Sequence, residues 1–234
     1  MSLDNVTEKV KRARHHFEEL HSELVRFYGS LPGTFVEVAA ANGNVRLKYV
    51  SDGGIPEHFG LIAGDCLQCL RSSLDYLVWE LVLANNKEPA SCNQFPVSLV
   101  EKDFDHAVTK RNRLKGVHPD AAEEIRLFQP FLFDEPHRHP IALLESLSNI
   151  NKHRRPLFTD ITGNYARPPF SFPHVSGHFH RFDADRRPVG IIPVWAYASF
   201  QDGGIKGFEI TATLDLLAKA ILEDTIPKFK RFFT

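Results

Sequence analysis

Residues 56–84 constrain the fold more than any other stretch of this chain. Leu67, Leu70, Leu74, Leu77, Val78 and Leu81 recur there at the spacing that gathers side chains on one face of a helix. The pattern predicts the central helix of the protein. A charge breaks into its apolar face: at 100° per residue Arg71 falls within about 60° of the stripe centre, with Asp75 one turn further along the same edge. Burying a guanidinium is costly unless it is paired, so Arg71 and Asp75 are expected to bind each other or a polar group from another helix. Two readings stand: an ion pair that ties helices together, or a contact for an anion or phosphate.

The remaining segments supply packing partners. Residues 4–28 form an amphipathic pattern through Val10, Phe17, Leu20, Leu24 and Phe27, ended by Gly29 and Pro32. Residues 34–50 read as a β-hairpin around Asn42-Gly43, a dipeptide suited to the positive φ values of a tight turn. Prolines punctuate 89–140, leaving short helices near 101–114 and 119–128 and an aromatic connection, FQPFLF. Pro140 opens a helix running through IALLESLSNINKHR to Pro156, with Leu143, Leu144, Leu147 and Ile150 on one face. LFTDITG, the stretch 174–183, VGIIPVWAYASF and KGFEITATL predict an antiparallel sheet. LDLLAKAILEDTIPKFKRFF predicts a final helix that Pro227 bends or splits. The 234 residues suit one α+β domain. Its helical core is expected over about 1–30, 56–155 and 213–233, with the hairpin at 34–50 and the sheet within 156–212.

Chemistry concentrates at the end of the helix beginning at Pro140. Asn151 and Arg154 lie among Leu144, Leu147 and Ile150, His153 sits at the edge of that face, and Asn149 belongs to the same helix end. His153 is the candidate general acid or base, because imidazole titrates near neutrality. Lys152, His153 and Arg154 also suit a helix C-terminus, where cations offset the macrodipole. Elsewhere, Cys66 and Cys69 lie within the central helix with only Cys92 as a third thiol, which favours buried small residues over a zinc site. His178 and His180 share one strand face, read as a solvated face before a metal site. No metal or cofactor is assigned. The net charge of −1 exerts no overall pull on nucleic acid or anionic lipid. The charged N-terminal stretch and the absence of an apolar run of about 18 residues lead to the expectation of a cytoplasmic protein that does not enter a membrane.

GDCLQCLRSSLDYLVWELV, FPVSLVEKDF, RLKGVHPDAAEEIRLFQPF and LLESLSNINKHRRPL occur in this order. Together they resemble a widespread family of uncharacterised bacterial proteins with a GD-x-L-x-x-LRS-x-LD helix, a QPF or QPY turn and an N-x-x-KHR helix end. The LRS-x-LD helix is in turn similar to helices of the HEPN superfamily, helical bundles whose active members cleave RNA without metal through an Arg-x4-6-His motif. The resemblance implies a HEPN-like bundle with a packed antiparallel sheet, an RNA-processing or defence-associated role, and a homodimer. Carried over, Arg71 matches the motif arginine, while Tyr76 stands where the histidine would be. His153 from the neighbouring helix, or the Arg111 and His118 pair, would have to replace it. In such a site a histidine would move the 2′-hydroxyl or leaving-group proton, and Arg71 or Arg154 would hold the phosphate. Asn149 or Asn151 would orient the base or bind ribose. The alternative is a non-catalytic ligand-binding or protein-interaction domain in which Arg71, Asp75, Asn149, Asn151, His153 and Arg154 are a structural network. The discriminating observation is whether Arg71 and His153 line an open cleft or disappear into satisfied hydrogen bonds.

Overall fold

A computed structural model describes residues 2–30, 33–39, 45–51, 55–153, 159–164, 175–182, 188–200 and 209–233, with the backbone alone for 37–39, 45–48, 51, 153 and the strands after 153. Seven α-helices and five strands follow in the order α1 (Asp4–Ser30), β1 (Gly33–Ala39), β2 (Val45–Ser51), α2 (Glu57–Ala84), α3 (Glu101–Thr109), α4 (Pro119–Leu127), α5 (Pro140–His153), β3 (Thr159–Asn164), β4 (Val175–Phe182), β5 (Pro188–Phe200), α6 (Ile210–Lys219) and α7 (Ile226–Phe229) among the described residues. Helix predominates, and antiparallel strands accompany it, as the α+β reading anticipates.

Helix α2 is the axis of the packing. Every member of its leucine and valine stripe is at most 1% exposed. Helix α1 runs antiparallel to it: Asn5 near the start of α1 donates to Glu80 Oε1 at 2.7 Å, while Glu23 further along meets His58 Nε2 at 2.9 Å near the start of α2. Val6, Val10, Ala13, Leu20 and Leu24 are the apolar teeth of α1, all buried. Helix α5 lies along another side of α2 and buries Leu143, Leu144, Leu147 and Ile150. Helix α6 packs against α1, α2 and α5.

The strands follow the anticipated pairing. β1 and β2 pair antiparallel from Gly33↔Ser51 to Ala39↔Val45, and Asn42-Gly43 lies outside the described residues. In the three-stranded sheet β5 is central, flanked by antiparallel β3 and β4. β2 runs beside β3, and α2 and α6 reach the sheet at β3 and β5 respectively. Among the described residues no helix is long and apolar enough to cross a membrane.

Two segments depart from expectation: the helix expected near 101–114 ends at Thr109, and the run at 210–214 is helical. The β-branched run ITATL predicts the end of a strand, yet α6 begins at Ile210. The Glu209 side chain accepts from the Ala212 amide and from Thr211 Oγ1, which caps the helix. Ile210, Thr211, Thr213 and Leu214 are then buried together on helical spacing, so tertiary packing outweighs the β propensity of the branched residues. The last helix is not split at Pro227. A wide π turn at Ala220–Thr225 joins α6 to α7 with helical backbone at both junctions, and Thr225 Oγ1 donates to the Ala220 carbonyl at 2.9 Å. Proline has no N–H to offer the preceding turn, so the hydrogen-bond pattern changes there while the helix continues.

Burial pushes the Glu209 carboxyl above its usual range, outweighing the pull of the donors from Ala212 and Thr211. The native state therefore binds this proton more tightly than the unfolded chain. The group's favourable contribution is complete below the ordinary Glu pKa and is lost as pH rises through the elevated native value. Thermal unfolding of Glu209→Gln beside wild type is expected to show wild type losing stability relative to the variant as pH rises above about 4.5.

Candidate functional site

Arg71 projects from the middle of α2 towards α5 and is only 2% exposed. All three of its nitrogens are engaged. Nε donates to Glu145 Oε2 of α5 at 2.6 Å, Nη1 to Asp75 Oδ1 at 2.7 Å, and Nη2 to the Phe95 carbonyl at 2.9 Å. Asp75 Oδ1 also accepts the Phe95 amide at 2.9 Å, so one buried arginine and one aspartate hold both backbone groups of Phe95. Burial drives the Asp75 carboxyl above its usual range despite the opposing pull of Arg71, the Phe95 amide and, more weakly, Lys152.

Phe95 opens an irregular strap, residues 95–98, whose backbone needs partners that no helix or sheet provides. Gln129, fully buried after α4, supplies them further along. Its Oε1 accepts the Ser98 amide at 3.0 Å, and its Nε2 donates to the carbonyls of Pro96 and Ile125 at 2.9 and 3.1 Å. Asn93, just before the strap, donates to the carbonyls of Arg113 and Lys115, which ties the connection after α2 to the loop before α4.

Two cations border this network. The Arg113 guanidinium is half-buried and lies within the electrostatic influence of Glu145, Arg71 and Asp75. Burial and the neighbouring Arg111 charge lower its pKa. Lys152, exposed on α5, acts on Asp75. Asn149 is exposed and donates to Glu145 Oε1 at 3.2 Å. Asn151 of α5 packs against Gly64 of α2, where a Cβ built on the glycine would lie 2.7 Å from Asn151 Cγ. Gln68 Oε1 on α2 and Ser148 Oγ on α5, which lie in sequence between the Gly64–Asn151 and Arg71–Glu145 contacts, are buried without a hydrogen-bond partner among the described residues.

The structure thus brings Arg71, Asp75 and Asn149 into one cluster and places Asn151 along the same helix seam. His153 is the last residue of α5; its side chain and the whole of Arg154 lie outside the described residues. His118 instead caps α4, its Nδ1 accepting the Asp120 amide at 3.2 Å, while Arg111 is exposed. Tyr76, at the position of the family histidine, is 42% exposed with Lys9 Nζ 5.3 Å from its ring centroid. Cys66 is buried, and burial pushes its thiol up to about 12. The side chains of His178 and His180 lie outside the described part. Among the described residues no group of three or more His, Cys, Asp or Glu is arranged to hold a metal.

Glu145 and Gln129 are the principal site residues that sequence reasoning missed. Glu145 carried a signal, being four residues before Asn149 on the helix already marked as polar. Gln129 carried a weaker one, a lone amide within the apolar FQPFLF run. No protein-family model matches the chain, and searches of curated proteins and of solved structures found no match.

Replacing Arg71 by Met would leave two carboxylates and the Phe95 carbonyl without their shared partner. The expected cost is about 3 kcal/mol, read as a lower urea midpoint. Arg71→Lys is expected to recover only part of it, because an ammonium cannot reproduce the planar three-way contact.

Proposed function

We propose that this chain is a non-catalytic ligand-binding or protein-interaction domain in which Arg71, Asp75 and Glu145 are architecture. A single observation carries this reading: Arg71 is withdrawn from solvent, with all three guanidinium nitrogens hydrogen-bonded to protein. A phosphate could reach it only by displacing a carboxylate or the strap, and each displacement would leave a buried charge or backbone group without a partner. The departure at Tyr76 from the family's arginine-histidine pattern supports the same reading.

A second reading, a HEPN-like metal-independent ribonuclease or RNA-processing protein, draws on Arg113 and Lys152. Arg113, half-buried, and Lys152, exposed, both act electrostatically on the Arg71 network without being among its hydrogen-bond partners, which leaves them to meet an RNA phosphate. His153 follows Lys152 directly and would be the proton carrier, and a second copy of the chain would be the partner that the resemblance implies.

Incubation with a mixed panel of single-stranded and structured RNAs in EDTA decides between them. The expected result is no cleavage above the buffer rate. Cleavage by wild type that is lost in folded His153→Ala and Arg113→Ala proteins would overturn the non-catalytic reading in favour of the second.

A further inference from the structure

Helix α4, the turn after it, the start of α5 and the π turn enclose a cleft of about 580 Å3, within the ~300–1,000 Å3 of small-ligand sites. It is separate from the Arg71 network and shares no lining residue with it. Its walls are mostly apolar: Phe128 and Ile141 lie inside, and Leu127 and Phe133 stand at the mouth, 56% and 50% exposed. A large aromatic ring left half in water beside an apolar hollow favours an apolar occupant. The π turn forms one wall. Its i→i+5 geometry sets Ala220, Asp224 and Thr225 along one face, which brings the Asp224 carboxylate to the cleft.

The charges at the mouth are unbalanced. Among the described residues Arg138 is the only lysine or arginine in the lining, and it pairs with Glu135 at 3.2 Å. Asp134 and Asp224 are exposed carboxylates with no ion pair among the described residues. Burial of His139 lowers its pKa and disfavours its charged form, and its Nδ1 accepts the Ile141 amide at 3.3 Å. Its ring lies 4.5 Å from that of Phe133, centroid to centroid, so the two form an aromatic part of the lining.

We propose that this cleft binds a small amphipathic amine, its aromatic or branched aliphatic body against Phe128, Phe133 and Ile141 and its ammonium between Asp134 and Asp224. The inference rests on the ligand-binding reading above and names its ligand class. Apolar burial supplies most of the affinity, and the carboxylates select cation over anion. Phe133 adds an aromatic face towards the ammonium.

Titration of the full chain with tryptamine and, separately, with indole-3-acetate tests this, followed by calorimetry and ligand-observed NMR. Tryptamine is expected to bind with a Kd on the order of 0.1–1 mM, and the anionic analogue about tenfold more weakly or worse. Asp134→Asn with Asp224→Asn should weaken tryptamine binding about fivefold to tenfold and abolish the preference for the cation. Both residues are exposed, so the fold is not at risk, and unchanged thermal unfolding would confirm it. Phe133→Ala should weaken both ligands together. Equal binding of the two ligands, no saturable tryptamine binding up to about 10 mM, or an unchanged Kd in the double variant would overturn the proposal. Failure here with no RNA cleavage would remove the amine site alone. RNA cleavage as specified above would remove the non-catalytic reading whether or not tryptamine binds.

Discussion

A guanidinium with 2% of its surface in water is tenable only when charge and hydrogen bonds around it are nearly complete, and at Arg71 they are. Much of the molecule follows from that requirement. Glu145 must come from α5, which sets the register of α5 against α2. Asp75 must come from the next turn of α2 itself. The third partner must be a carbonyl, and the Phe95 carbonyl fixes where the chain returns after leaving α2. The Phe95 side chain itself is fully buried in the apolar core.

The strap beginning at Phe95 shows how a polar centre can organise irregular structure. Residues 95–98 have no ladder to join, so side chains replace it: Arg71 and Asp75 at one end, Gln129 at the other. Both anchors are buried, where hydrogen bonds are stronger and an unmade one is more costly. The far end of the bundle is arranged differently. There a π turn ahead of Pro227 widens the last helix, and Ala220, Asp224 and Thr225 of that turn line a partly open apolar cleft. The closed polar centre and the open apolar cleft have opposite relations to solvent, and only the second has room for a guest.

The helices were legible because their apolar periodicity is long and regular. Observed α1, α2, α4 and α5 begin and end within a few residues of where the repeat and the prolines place them. The run at 210–214 was not, since a short β-branched stretch satisfies strand and helix alike and only burial against α1 and α2 selects helix. At the site, the i,i+4 spacing of Arg71 and Asp75 announced a pair, and the intrusion on an apolar face announced a partner from another element. Glu145 was not identifiable as that partner, being 74 positions away on a helix whose register to α2 no local pattern encodes. Asn151 was legible as a polar intrusion on the apolar face, but that it lies against Gly64, and that Asn149 bonds Glu145, depends on how α5 is set against α2 and on side-chain rotamers that periodicity does not encode.

The sequence by itself determined that an arginine would enter the helical core and that it would need compensation, because side-chain spacing on a helix and the cost of burying charge are local facts. It likewise marked Pro227 as a point where the last helix would depart from regular geometry. Only the tertiary structure decided that the compensation is complete enough to shut Arg71 away from solvent, and that the departure is a π turn forming one wall of a cleft. Both outcomes depend on the relative placement of elements far apart in the chain, where hydrogen-bond geometry and packing leave few arrangements that satisfy every buried group at once.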